Sequence, residues 1–598
     1  MSRERESRTR AMPLPSVVSA PKNGVAYQVH SYPTKLPPGA IAPFLEACTS
    51  PGAMVLDPFC GSGMTGVAAL SAGRSALLSD LSPGAVHLAR NHTHRGDPTR
   101  LLAGLNGLDE EWMSQREREL YVETCPRCRA LGLVRHTIWS DVITCRSCGE
   151  EIVLWDFADE NGRVPRSLRC PSCSRWAPRA GVAPVRSEPV SLTVACGGGC
   201  RTLQTGPATA EARRRLLTPE SWPVTAWHPS DPVDPHREMY RRSALHLHGV
   251  RNVADFYLPR ARLALGELWA RIHNVAPGAV REGLCFAFTN AAWHASRMRR
   301  YNTRGGQRPL TGTLYIPQLV AEANVFEIFR HQVHRIARYY RAFQSRGGCV
   351  AEVRRSSATD LSWIADRSID YVFTDPPFGS NIFYADCNLI WESWLGATTD
   401  VAQEIVVNRS RAGAFGGKAV GDYERLLGQA FKEISRVLRP GGRASVVFHN
   451  SDDQVWSALI RAAQAGGLQQ SEVSLVDKVQ RSMKGYRGRS GRELVPFYDL
   501  VITFTAGRSR ACHLNGAGEI AVEAVREHLA EADRRGLPIV CRERSLEYLY
   551  SLAVGGVVRQ GGRPDGLSFR AFEMLCGGQF SRKERHYSLS RATATATA

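Results

Sequence analysis

An α/β fold, with a Rossmann-like doubly wound sheet split by a long insertion, is the architecture this sequence predicts. Three observations carry it. An apolar strand, a glycine turn and a small-residue helix follow one another from Ala53 to Ala72. A second strand, Ser75–Ser79, then ends on Asp80 and leads into a helix with Pro83 in its first turn. This alternation stops near 95 and resumes only at Cys349, about 250 residues later. Neither piece could cover both faces of a parallel sheet alone, so one interrupted domain is expected rather than two.

Composition bounds the rest. The 598 residues allow about three to five domains. Apolar residues make up 43% of the chain, which excludes wholesale disorder. No apolar run approaches the roughly 18 residues of a membrane span. The charged start MSRERESRTR has no apolar stretch behind it, so it does not read as a secretory signal. No membrane partner and a reducing, cytoplasmic location are therefore expected. The net charge is +19, from 76 Lys and Arg against 57 Asp and Glu, which suggests a polyanionic partner. From Arg297 to Arg355 there are 12 Arg, no Lys and 3 Glu.

Taken in order, residues 1–20 read as a disordered basic tail, and 21–95 as the first part of the split domain. The insertion covers 96–345. It opens with a charged amphipathic helix over 96–120, carries paired cysteines over 121–205, and continues as a basic, mostly helical region over 206–345. Residues 346–508 complete the split domain, with strands at Cys349–Val353, Ile369–Thr374, Arg443–Phe448 and Tyr498–Phe504. A helix over Asp422–Leu438 stops at Pro440-Gly441-Gly442. Residues 509–598 read as a helical extension whose ATATATA end is low in complexity.

The turn Asp57-Pro58-Phe59-Cys60-Gly61-Ser62-Gly63 sits between strand and helix, where glycines admit close backbone approach and the helix start offers free N–H groups. Asp80, at the tip of the next strand, could accept from ribose hydroxyls. Gly66 completes a Gly-x-Gly-x-x-Gly spacing, so glycines alone leave a dinucleotide open. Asp57-Pro58-Phe59, which a pyrophosphate site does not need, favours a nucleoside with a carboxylate end. This stretch resembles motif I of the S-adenosylmethionine-dependent DNA amino-methyltransferases. His30-Ser31-Tyr32-Pro33-Thr34-Lys35-Leu36-Pro37 is similar to the family segment beside the cofactor's methionine end. The resemblance implies a methyltransferase sheet and a cofactor site holding Lys35, Asp57, Phe59, Gly61, Gly63 and Asp80.

Thr374-Asp375-Pro376-Pro377-Phe378 follows an apolar strand and resembles motif IV of the same family. Alone, Asp-Pro-Pro is also a plausible turn. An exocyclic amino nitrogen is a poor nucleophile because its lone pair is delocalised into the ring. The family's chemistry therefore implies that Asp375 and the Pro376 carbonyl accept its N–H groups, that Pro377 helps fix the loop, and that Phe378 stacks on an extruded base. The resemblance also places Asp360 near the cofactor adenine; a helix cap is the alternative. Asp in the first motif position leans toward adenine N6 over cytosine N4.

Cys125-x2-Cys128 and Cys145-x2-Cys148 are spaced as one four-cysteine zinc ribbon, and Cys170-x2-Cys173 with Cys196-x3-Cys200 as a second. Two structural Zn2+ ions are expected. A methyltransferase domain interrupted in this way is similar to the zinc-ribbon-containing adenine-specific DNA methylases. The implied activity is methyl transfer to DNA, with cytosine N4 and RNA guanine N2 as alternatives. Restriction-modification, defence or solitary roles stay open, as do partner proteins from such systems. His294–Tyr301, Phe329–Arg341 and the loop Arg481–Arg492 are the candidate DNA contacts.

Overall fold

The computed structural model describes residues 13–179, 181–303, 306–343, 345–408, 416–477, 498–507 and 516–589. The loop Arg481–Arg492, a candidate DNA contact, lies outside the described residues.

The fold is mixed α/β. Its main sheet orders the strands Val17–Ser19, Leu468–Asp477, Tyr498–Ala506, Leu438–Phe448, Ile369–Thr374, Met54–Asp57, Ser75–Asp80 and Ala351–Arg355. Tyr498–Ala506 runs antiparallel to both neighbours, and every other pairing is parallel. The central parallel strands are apolar almost throughout, as burial on both faces requires: in Ile369–Thr374 only Asp370 is partly exposed, whereas the edge strand Ala351–Arg355 buries only Val353. From Met54–Asp57 the chain builds outward through Ser75–Asp80 to Ala351–Arg355. It then crosses back to place Ile369–Thr374 on the other side of Met54–Asp57. The strand order reverses between these two, and the crevice beyond their carboxyl ends is where an open α/β sheet binds ligands.

A second sheet orders Gln204–Pro207, Arg186–Cys196, Leu131–Thr144 and Leu319–Ala323, all antiparallel. The long Leu131–Thr144 strand also pairs with Val122–Thr124 and Glu151–Val153. Arg260 locks this sheet to the helices behind it. Its guanidinium is buried and donates to Glu322 at 2.8 Å and Thr137 at 2.9 Å. A charge so deep is tolerated because it is paired and hydrogen-bonded on the spot.

One expectation is corrected, and two strands stand beside those expected. Val17–Ser19, placed in a disordered tail, pairs with Leu475–Asp477 because the sheet edge offers unpaired N–H and C=O groups. The basic insertion is not helical throughout: Leu319–Ala323 is a fully buried strand. Leu468–Asp477 is a further strand, whose alternation the Gln469–Glu472 stretch hides. In the extension, the Leu546–Arg559 helix packs on the main sheet, with Arg559 reaching the Val473 carbonyl at 3.5 Å. Among the described residues, no helix is long and apolar enough to cross a membrane.

Candidate functional site

The crevice at the strand reversal is a cleft of about 940 Å3, continuous with solvent. Two loops meet in it. Asp57 ends the first strand and Thr374 the second, and the Thr374 hydroxyl donates to Asp57 Oδ1 at 2.7 Å. The same carboxylate accepts from Thr65 Oγ1 at 2.6 Å and from the Phe59 N–H at 3.1 Å. Asp57 therefore joins the glycine turn to the Asp375 loop, residues more than 300 positions apart in sequence. Burial pushes its pKa up to about 6, although all three hydrogen bonds favour the ionised form.

Asp80 accepts from the Gly61 and Ser82 N–H groups, each at 2.9 Å, and burial pushes it up to about 6. Gly61 has φ +49, and a Cβ there would meet the Tyr32 ring at 2.9 Å. Its missing side chain therefore keeps the cleft open. Lys35, Phe59, Asp57, Gly61, Asp80, Asp375 and Pro377 all line the cleft. Lys35 donates to the His30 carbonyl at 2.6 Å and to that of Tyr27, and lies over the Tyr27 ring. Burial, then the nearby Arg335 charge, lowers its pKa to about 7.

Four other residues sit elsewhere than the motifs imply. Gly63 is not in the cleft lining; with φ +81, a Cβ would strike the Ala89 backbone at 2.8 Å. It is a packing glycine that seats one helix on another. Asp360 is exposed, accepts from the Ser362 N–H at 3.0 Å and lies outside the lining, while Ser357 and Ala358 of the same loop are in it. Pro376 is buried behind the wall. The Phe378 ring is only 6% exposed, packs edge-on against Phe448 at 5.3 Å, and does not face the cleft. Apolar strand ends draw that ring inward, which the tetrad alone does not reveal.

Aromatic surface is supplied instead by Tyr32 and Tyr384, stacked at 6.1 Å, with the Tyr384 hydroxyl sharing a 2.6 Å hydrogen bond with Thr34. Both line the cleft. So does Glu404, which accepts from the Ala385 N–H at 3.0 Å and is pushed by burial up to about 7. Tyr384 opens the short helix Tyr384–Cys387 and Glu404 stands in an irregular stretch, both without motif spacing, so no sequence signal marked them. The pocket's fit to a nucleoside with an amino-acid end rests on its polar groups. Gly61 leaves room at the turn, Asp80 is placed for hydroxyls, and Ser62 Oγ is buried without a partner among the described residues.

The eight paired cysteines form two four-sulfur groups, each with all ligand atoms within 4.8 Å. Their pairing corrects the sequential one. Cys125 and Cys128 join Cys196 and Cys200, while Cys145 and Cys148 join Cys170 and Cys173. The cause is the register of the long hairpin, in which Gly132 faces Cys196 and so brings the first and last knuckles together at its base. Cys128 and Cys196 sulfurs lie 3.2 Å apart at the base, and Cys148 and Cys170 3.6 Å apart at the tip. The tip carries its own small core of Ile143, Ile152, Leu154, Leu168 and Ala177. Four sulfurs at such range fit tetrahedral Zn2+ with no open position, a structural rather than catalytic site.

The arginine-rich stretch divides. Arg297 donates to the Asp255 carbonyl at 2.9 Å, Arg330 binds Asp109 and Glu117 at 2.6 Å each, and Arg354 pairs with Glu352. These tie the fold together. Arg308, Arg338 and Arg341 are exposed.

Comparisons with known proteins each cover a part of the chain. Residues 5–91 match the model of the N6/N4 family described as DNA methylase. A protein of Escherichia coli (strain K12) named as a methylase, YubD, is 45% identical over 62 residues, which are 10% of this chain and 26% of that protein. The chain thus spans about a quarter of that relative's length. Among solved structures, the complex of the Haloferax volcanii Trm112 methyltransferase activator with its methyltransferase matches 29% of this chain and 69% of that one. The identity is 13% and the TM-score 0.16. The antibiotic-resistance methyltransferase Kmr matches 30% of this chain and 67% of its own, at 15% identity and a TM-score of 0.15.

Proposed function

We propose that this protein is an S-adenosylmethionine-dependent DNA amino-methyltransferase, with adenine N6 as the acceptor. Its amino-terminal segment, residues 5–91, carries the DNA methylase match. The observation that carries the proposal is the convergence of the Gly61–Asp80 wall and Asp375 on one cleft, tied through Asp57 and Thr374. In this reading the main sheet is a Rossmann-like methyltransferase domain formed by 21–95 and 346–508, and the zinc modules and helices between are an insertion.

When bound, the cofactor supplies an electrophilic methyl group on sulfonium sulfur. Asp80 and the Gly61 turn hold the nucleoside part, and Lys35, Phe59 and Ser62 surround the other end. Asp375 accepts an N–H of the target amino group and orients the nitrogen lone pair. Its fixed charge also stabilises the positive charge that grows on nitrogen in the transition state. Tyr384, half-buried on the same wall as Asp375, offers aromatic surface for a base that has left the duplex. The Pro377 carbonyl accepts from Tyr423 Oη at 2.8 Å and so fixes the loop.

The test is methyl transfer to DNA from a methylation-free host, followed by digestion and mass spectrometry of the nucleosides. N6-methyladenine is expected. N4-methylcytosine would move the acceptor, and transfer only to RNA would overturn the DNA reading.

A further inference from the structure

The arginines left over after the structural ones are set aside are not scattered. Arg299, Arg308 and Arg335 surround His294 closely enough that each charge acts on its imidazole. Arg335 also acts on Lys35 of the cleft wall and is itself acted on by Arg338. The loop that carries Arg308 reaches the cleft rim, where Gly312 approaches Pro33 and Ile382. The group therefore runs from the cleft along the Val325–Ala342 helix, whose outward residues His331, His334, Arg338 and Arg341 share one exposed face.

This charge is uncompensated. Among the described residues, Arg299, Arg308, Arg335 and Arg338 have no carboxylate in ion-pair contact. Arg335 has only the Gln28 carbonyl, at 3.2 Å. The nearest carboxylate acting on Arg299, Glu327, is taken by Arg135 at 2.5 Å. Arg299 is largely buried and its Nε has no partner. A guanidinium N–H taken out of water without an acceptor is unfavourable, so a site built this way fits an anion that arrives from outside.

We propose that Arg299, Arg308, Arg335 and Arg338 form a phosphate-binding ridge beside the cleft that holds the DNA backbone next to the nucleotide entering it. The ridge rests on the DNA part of the reading above and not on methyl transfer. Consecutive phosphates spaced along a strand match cations spaced along a helix, and guanidinium forks bind phosphate oxygens in pairs.

The test is fluorescence anisotropy with a labelled duplex of about 20 base pairs across a salt series, comparing the wild type with Arg308→Gln/Arg335→Gln/Arg338→Gln. Each lost phosphate contact flattens the slope of log affinity against log salt by about 0.9, so the triple variant should flatten it by about 2.7. Arg534→Gln/Arg570→Gln, on the helical extension, should leave the slope unchanged. Titration with S-adenosylmethionine in the same preparations reports on the cofactor reading and on folding separately, and should show saturable binding in all three proteins. A triple-variant slope within about 0.5 of wild type, with cofactor binding retained, would overturn the ridge. Flattening seen with duplex RNA while DNA fails to bind would overturn its assignment to DNA.

Discussion

Asp375 and the two turn glycines separate three kinds of contribution at single-residue scale. In the proposed reaction Asp375 acts on the nitrogen that becomes positive, so its effect belongs to the transition state. Asp375→Ala should lower methyl transfer at least about 100-fold, the loss typical when one preorganised charge is removed. Cofactor affinity by calorimetry should stay within a few fold. Near wild-type transfer by this variant would reduce the tetrad to a structural turn. The glycines differ in what a Cβ would meet. At Gly61 it faces the Tyr32 ring on the cleft wall, so Gly61→Ala should weaken cofactor binding. At Gly63 it faces the Ala89 backbone, so Gly63→Ala should destabilise the fold by about 1–3 kcal/mol. A thermal melt beside a cofactor titration separates the two. Equal loss of binding in both variants, without loss of stability at Gly63, would contradict the geometry.

The nested four-cysteine groups set the prediction at the scale of elements. If the base knuckles close one site and the tip knuckles another, replacing the tip from Cys145 to Pro178 by a short turn should leave one zinc ion per chain. Sequential pairing would break both sets and leave none. Elemental analysis of the folded variant decides between them. What the sequence made legible here was the ligand set and not its partition. Four Cys pairs in a row are compatible with either arrangement, because pairing depends on how Leu131–Thr144 meets Arg186–Cys196 across the 41 residues between them. The strands around the cleft were legible because their signals are local: apolar runs ended by Asp57, Asp80 and Asp375. Leu319–Ala323 was not, since LVAEA sits among helices and its Glu322 is buried only because Arg260 and Trp139 receive it. The two aromatic residues of the cleft divide the same way. Tyr32 lies in a segment read from the sequence. Tyr384 reaches the site only through the chain's return after Phe378.

At the scale of the whole molecule, the main sheet and the helices Ala279–His294 and Val325–Ala342 are joined by a core that contains histidines. His87 and His92 stand on the Pro83–Thr93 helix of the sheet and meet the edge of Phe286, on the insertion helix Ala279–His294. His30 stacks on the same ring and bonds Thr289 at 3.1 Å, and Tyr339 donates to the His92 carbonyl. Burial holds all three neutral, pushing His87 down to about 4, His92 to about 3, and His30 well below its ordinary range. The unfolded chain titrates near 6.5, so between that value and about 4 it binds protons that the folded protein refuses. The stability these groups hold is therefore complete above about pH 6.5 and lost as pH falls toward 4. At pH 5 each group depressed to about 4 costs about 2 kcal/mol relative to pH 7.5. Asp57 and Asp80 work in the opposite sense, since their raised pKa values make ionisation costly above about 6 and that cost fades on acidification. Removing one histidine isolates its share from theirs. His87→Leu keeps the junction apolar and deletes one titrating group. Its melting temperature should fall less between pH 7.5 and pH 5 than that of the wild type, whatever its starting value. Parallel falls in the two proteins would place the acid sensitivity elsewhere. A smaller fall would assign part of the acid sensitivity to the buried imidazole of His87.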